Sequence, residues 1–545
     1  MYDLLITGGR ILDGAGSPWY WADVAVQDDQ IVHVGRLAGA ATRRIIKADG
    51  RVVCPGFIDI HTHSDLQPLV TPLQECKIHQ GVTTEVVGHD GLGLAPVMPH
   101  TAAVLREQLA GLNGCPDVEW DWNTITCYLD RFDHRVAVNI VMLVPHGTVR
   151  LAVMGMENRA PTRDEMSQMK HLINQGMREG AVGLSTGLTY APAMYASDDE
   201  MVELCKVLSP YNGFYCPHHR SYGVGALEAY RDSIEIGRRA GVPVHLTHCH
   251  LGFPVNRERA PELLAEIDQA RAQGVEVTLD AYPYLAGSTY LYAFLPGWMH
   301  EGGPDSTIAR LKSPDTHDRL RHEMEVSGSD GFSGVPMGWE MVQISGIMGD
   351  HDPALVGTYL PDAAARDGQT PYDFFVDLLI ETRLSVSCLV HIGNEENVQA
   401  ILQHPTHMVG SDGILIGERP HPRGWGTHVR FLSHYVRDLG LLSWEEGVRR
   451  VTSAPARRIG CMDRGLLRPG FKADMVVFDP LSLHDTATYE NPRRYPEGIS
   501  FVAVNGTLVI EEGEPTGATP GRALREPYGR KPERIEGDLK KHWSQ

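Results

Sequence analysis

With 545 residues the chain is longer than one hydrophobic core commonly serves, and 42% hydrophobic with 22% charged residues are globular proportions, not those of a disordered chain. Its 69 acidic against 49 basic residues give a formal net charge of −20, which excludes the broad positive surface that nucleic acid or an anionic membrane requires. Nine cysteines, an odd number with no CxxC pair, do not make a secreted disulfide framework and fit a reduced, cytoplasmic compartment.

The opening MYDLLITGGRILDG lacks the basic and apolar regions of a signal peptide, and no apolar run approaches the ~20 residues that span a bilayer. The first 50 residues alternate as short strands, at 2–6, 10–12, 23–26 and 30–34, punctuated by Gly8-Gly9 and Asp28-Asp29. The same pattern returns at 474–478 and 499–509, with a turn at Asn505-Gly506. Neither piece buries a core alone, so a small β-sandwich domain built from both termini is expected, from 1–55 and 461–515.

Between them, short apolar runs ending in polar residues alternate with helix-length stretches. The runs are FIDIHTH (57–63), TTEVVGHD (83–90), VNIVMLVPHG (138–147), AVGLSTGL (181–188), GFYCPHHR (213–220), PVHLTHCH (243–250), EVTLDAYPY (276–284) and HMVGSDG (407–413). Helices are expected at 164–179, 226–240 and 261–273. This rhythm predicts an α/β fold, a (β/α)8 TIM-like barrel over 56–460. An insertion between late barrel strands is expected at about 287–349, and SVSCLVHI (385–392) is one strand-like run too many. Residues 516–545 read as a polar, solvated C-terminal extension.

In such a barrel the C-terminal strand ends build the active site. Those ends carry His61, His63, Asp90, His146, His218, His248, Tyr282 and Asp412. Side chains at i and i+2 of a strand share a face, so His61 and His63 can bind one cation. Neutral imidazoles suit zinc and similar metals, and a carboxylate can complete or bridge the site. His219 rivals His218 and His250 rivals His248 as the ligand; His146 is equally a supporting or a purely structural residue.

PGFIDIHTHSD resembles the strand-one motif of the amidohydrolase superfamily. EGAVGLSTGLTYAP, YCPHHR, GVPVHLTHCH, DAYPYLAGST, GSDG with PHPR, TSAPARRIG and RGLLRPGFKADMVVFDP follow in order and narrow the likeness to the D-aminoacylase family, the N-acyl-D-amino-acid deacylases. The resemblance implies a metal-dependent hydrolase of C–N bonds. It makes His61, His63, His218 and His248 metal ligands, for one or two zinc ions with manganese or iron as alternatives. It makes Asp412 the general base that takes a proton from metal-activated water and returns it to the leaving amine. Arg423, Tyr282, Ser288 and Tyr190 match positions that hold the substrate's carboxylate.

Two positions depart from the family. Its GNCG motif, with a metal-binding cysteine, reads GHDG here, which puts Asp90 in the ligand position. Its lysine two residues after the strand-six ligand is His250, which is mostly neutral at pH 7 unless perturbed. The expected partner is a small-molecule amide and, at most, further copies of the chain in a homo-oligomer. A cyclic amide, an imide or another non-amino-acid amide is the alternative substrate; a catalytically silent scaffold is the alternative of another class.

Overall fold

The computed structural model describes residues 1–37 and 39–525. Both ends of the chain enter one nine-stranded sheet. Val52–Pro55 runs antiparallel to Met475–Phe478 and stitches the N-terminal strands to the C-terminal ones. Residues Leu4, Ile6, Val24, Val26, Ile31, Val53, Met475 and Val477 form its core. The expected pieces 2–6 and 10–12 are one strand, Tyr2–Ile11, whose pairing shifts between Ile6 and Gly9. Gly8 takes a positive φ of 67° there, so the two glycines make a bulge instead of a turn. Asn505 and Gly506, with φ of 48° and 78°, do turn a hairpin between Ile499–Val504 and Thr507–Glu511.

The central part is α/β, with parallel strands in two sheets. Phe57–Asp59, Val82–Val87 and Asn139–Met142 form one. Val144–Pro145, Gly183–Gly187, Phe214–His218, Val244–Leu246, Val277–Ala281 and His407–Val409 form the other, in that spatial order. Such strands are buried on both faces, which is why they read as unbroken apolar runs. Val82–Val87 and Phe214–His218 are buried at every residue. Among the helices, Arg163–Arg178 starts from a capping box of Thr162 and Glu165, and Ala226–Ala240 ends at Gly241 with φ of +69°.

Two expectations change. SVSCLVHI does not join the parallel strands. As Val386–His391 it is the centre of an antiparallel sheet between Ala286–Tyr290 and Val342–Ile347. The irregular rhythm of 287–349 reflects pairings between strands far apart in sequence. The tail is not solvated over its first part. Gly521 and Leu524 donate to the carbonyls of Val136 and Ile140, and Arg525 pairs with Asp130 and Asp133. Unpaired backbone along the edge of Asn139–Met142 is what the tail satisfies. The expected extension over 526–545 lies outside the described residues.

Candidate metal centre

The strand ends converge on one buried cluster. His61, His63, Asp90 and Asp412 each offer a ligand atom, all within 4.8 Å of one another; Asp90, His218 and His248 form a second such group. Asp90 is common to both. Its Oδ2 lies 3.3 Å from Nε2 of His63, Nδ1 of His218 and Nε2 of His248, and its Oδ1 lies 3.7 Å from Nε2 of His61. Asp412 Oδ1 lies 3.2 Å from Nε2 of His63 and 3.6 Å from Nε2 of His61.

Local backbone aims these groups. Asp90, His248 and Asp412 all have positive φ, 54°, 29° and 49°. Such conformations cost about 1–3 kcal/mol and cluster where geometry is functional. In GHDG, Gly88 and Gly91 also have positive φ, and a Cβ on Gly88 would meet the carbonyl oxygen of Leu143 at 2.6 Å. The flanking glycines let the chain turn tightly enough to point Asp90 inward.

Hydrogen bonds fix the ring orientations. Asp280 accepts from Nδ1 of His61 at 3.2 Å and from Nε2 of His245 at 3.1 Å, which leaves Nε2 of His61 facing the centre. The Thr189 hydroxyl lies 2.7 Å from Nε2 of His218, and the Tyr222 hydroxyl 3.2 Å from Nδ1 of His248. Asp280 escaped the sequence reading, although an aspartate in an apolar strand two residues before Tyr282 shares that residue's face. Thr189 and Tyr222 carried no signal, because their partners are distant in sequence.

The donor set fits a divalent metal. Nε2 of His61 and Oδ1 of Asp90 are buried without a hydrogen-bond partner, and both point into the cluster. Burial opposes charge on His63, yet hydrogen bonds to Asp412 and Asp90 push it up to about 10. Imidazoles recruited as counterions show that the two carboxylates need a cation, and a metal ion supplies it with nitrogen and oxygen ligands of the right type.

The rival histidines separate. His219 turns away, its ring 3.9 Å from that of Tyr230. His250 stays out of both ligand groups and lines the cavity over them. Burial, with the nearby His248 and Arg423 charges, pushes His250 down to about 4, so it is neutral at pH 7. His146 caps no metal group; it bonds the Thr186 hydroxyl at 2.9 Å and lies 3.5 Å from Glu200.

The cavity, about 130 Å³, is lined by His63, Asp90, His218, His248 and Asp412 at its floor. Tyr190, His250, Tyr282, Ser288 and Arg423 line it too, as do apolar residues such as Leu92, Phe253, Phe294 and Ile392. Arg423 is the one lysine or arginine among the lining residues. It is fully buried, 2.9 Å from Oδ2 of Asp412, and its guanidinium lies over the Tyr282 ring at 4.5 Å. The Ser288 carbonyl accepts from it at 3.3 Å. Tyr190 pairs its hydroxyl with Thr289 at 3.0 Å.

The model of a family described as "Amidohydrolase family" matches residues 44–510. The chain belongs to that family. It is 36% identical to a D-aminoacylase of Alcaligenes xylosoxydans xylosoxydans, over 96% of this chain and 97% of that one. A D-aminoacylase structure described by its binuclear metal centre superposes with a TM-score of 0.82 at 35% identity, covering 96% of this chain and all of the other. So does N-acyl-D-glutamate deacylase from Bordetella bronchiseptica, solved with zinc and a phosphonate mimic of the tetrahedral intermediate, with a TM-score of 0.82, 34% identity and coverage of 96% and 99%. Within the amidohydrolase family, then, this member is similar to the D-amino-acid deacylases.

Proposed function

We propose that this amidohydrolase cleaves the amide bond of N-acyl-D-amino acids at a two-ion centre, zinc first among the candidates. The observation that carries the reading is the single carboxylate of Asp90 shared by two groups of histidines at the floor of one cavity. Its frame is a (β/α)8 barrel over 56–460, beside a small domain from 1–55 and 461–515. Two contacts support closure. Leu143 donates to Val87 at 3.0 Å where one strand passes between the sheets, and Thr62 bridges Gly413 in parallel at the other seam.

His61, His63 and Asp412 would hold one ion, His218 and His248 the other, with Asp90 between them. Ions bound there supply Lewis acidity for water and for the amide carbonyl. The protein's own part is proton transfer and orientation. Although burial opposes ionisation, Arg423 and His61 hold Asp412 below the usual carboxylate range, so it enters the reaction as the base. The proton it takes from water goes to the leaving nitrogen, which departs as an amine. Tyr190, Tyr282, Ser288 and Arg423 orient the substrate, and the apolar walls keep bulk water out.

Arg423 is the one fixed cation in the cavity, and it recognises the α-carboxylate. Arg423→Lys should lower kcat/KM for an N-acyl-D-amino acid by about 10–100-fold, the value of a charged hydrogen bond lost, and lower it less for the carboxamide analogue, which feels only the altered contact with Asp412. Equal losses on both substrates would remove Arg423 from carboxylate recognition. A second reading, a cyclic or non-amino-acid amide, draws on neutral His250 and on Arg423 being engaged with Asp412. The same comparison, extended to L-enantiomers and cyclic imides, separates the two. The experiment that tests the proposal as a whole is removal of metal with a chelator: hydrolysis should disappear and return with zinc. Activity surviving full metal depletion would sink it.

No helix among the described residues is long and apolar enough to cross a membrane, and the nine cysteines are unpaired.

A further inference from the structure

Beneath the metal centre lies a set of charges that the hydrolytic chemistry does not use. Lys77, on the short helix Glu75–Ile78, is fully buried. Its Nζ lies 2.6 Å from Asp59, 2.9 Å from the Thr62 hydroxyl, 3.1 Å from Glu85 and 3.2 Å from the Ser411 hydroxyl. Asp59 and Glu85 are fully buried as well. Burying three ionisable groups in contact is costly, and apolar replacements of such sets often leave stability unchanged or higher. Stability is therefore a poor reason for this cluster.

Its geometry offers a better one. Asp59 lies on Phe57–Asp59, the strand that runs into His61 and His63. Glu85 lies on Val82–Val87, which runs into Asp90. Ser411 follows His407–Val409 and precedes Asp412. The three strands tied through Lys77 are those that present the first ligand group, His61, His63, Asp90 and Asp412. The tie is tight at Ser411, whose amide donates to Asp59 at 2.8 Å and whose hydroxyl donates to it at 2.6 Å. One residue on, the Asp412 amide donates to the His61 carbonyl at 2.7 Å. The Gly413 amide donates back to the Ser411 hydroxyl at 3.1 Å. His218 and His248, by contrast, lean on the Thr189 and Tyr222 hydroxyls and have no link to Lys77.

We infer that Lys77, Asp59 and Ser411 are positioning residues for one half of the metal centre: a buried ionic strut that sets Asp412 against His61 and His63. The inference rests on the two-ion reading above. Its effect is selective. Loosening the strut spreads His61, His63 and Asp412 and leaves His218 and His248, the unshared ligands of the second ion, in place.

Zinc titration of the metal-depleted, full-length protein, with zinc content per chain measured at buffered free zinc, tests this. The variants are S411A, which removes one hydroxyl, and the charge-balanced K77M/D59N; S411A carries the test if the double variant does not fold. The expected result is one zinc ion bound as in wild type and the other about 10–100-fold more weakly, the usual effect of losing a group that orients a ligand. kcat should fall at saturating zinc, with KM and Tm near wild type. Two ions bound with wild-type affinities in the variants would overturn the strut alone. Parallel weakening of both ions with falling Tm would mean a general packing role and also overturn it. A wild type that binds fewer than two ions would overturn the two-ion reading and the strut with it.

Discussion

Replacing Asp412 by Asn is expected to cut kcat by about 10²–10⁴-fold, the contribution of a placed general base, with the fold preserved. Asn has nearly the same shape as Asp but cannot take a proton from water. It is also the substitution that the backbone tolerates. Asp412 has φ of +49°, a conformation that Asn shares readily and that strains most other residues. The side chain is buried between His63 at 3.2 Å and Arg423 at 2.9 Å, so a smaller residue would leave both facing a void. Steady-state rates, Tm and zinc content on one preparation make the test. A variant that keeps a tenth of the wild-type rate would show that Asp412 is not the base.

Asp90→Ala should remove metal and activity together. Four imidazoles lie within 3.7 Å of this carboxylate, so its loss takes a ligand from both groups at once. Bound metal should fall below the wild-type count, and kcat with it. Alanine at φ of +54° adds about 1–2 kcal/mol of backbone strain. Asp90→Asn, which fits that backbone, is therefore the control that separates lost charge from lost fold. Asp90→Cys restores a softer, thiolate ligand and should recover zinc binding in preference to harder metals. Equal metal content and rate in Asp90→Ala and wild type would mean that Asp90 does not hold the ions, and the shared-carboxylate reading would be abandoned.

Much of this was legible before any coordinates. The apolar runs mark the parallel strands because burial on both faces leaves no polar alternation. Their polar last residues mark the cluster because strands of one sense end on one side. The departure at GHDG pointed to Asp90, and its flanking glycines explain how a carboxylate reaches the centre. The stretch 287–349 shows in the sequence that it lacks the β–α rhythm, but not which strands it pairs with. Ala286–Tyr290 and Val342–Ile347 both pair with Val386–His391, across separations that local pattern cannot detect.

The sequence by itself determined most of the parallel strands and the chemical kind of the site: histidines in pairs at strand ends, two carboxylates and one arginine. These follow from local periodicity, which is a property of neighbours in the chain. Tertiary structure alone decided which of them meet. His248 and His250 share a face by alternation, and the left-handed turn of the backbone at His248 breaks that alternation and leaves His250 over the cavity. Asp90 serves both ligand groups only because strands far apart in sequence converge on it. Lys77 carries no signal in the sequence, and its burial is intelligible only once Asp59, Glu85 and Ser411, up to 334 residues away, surround it. Coulomb and hydrogen-bond energies depend on distance in space, and that distance is set by the packing of the whole chain.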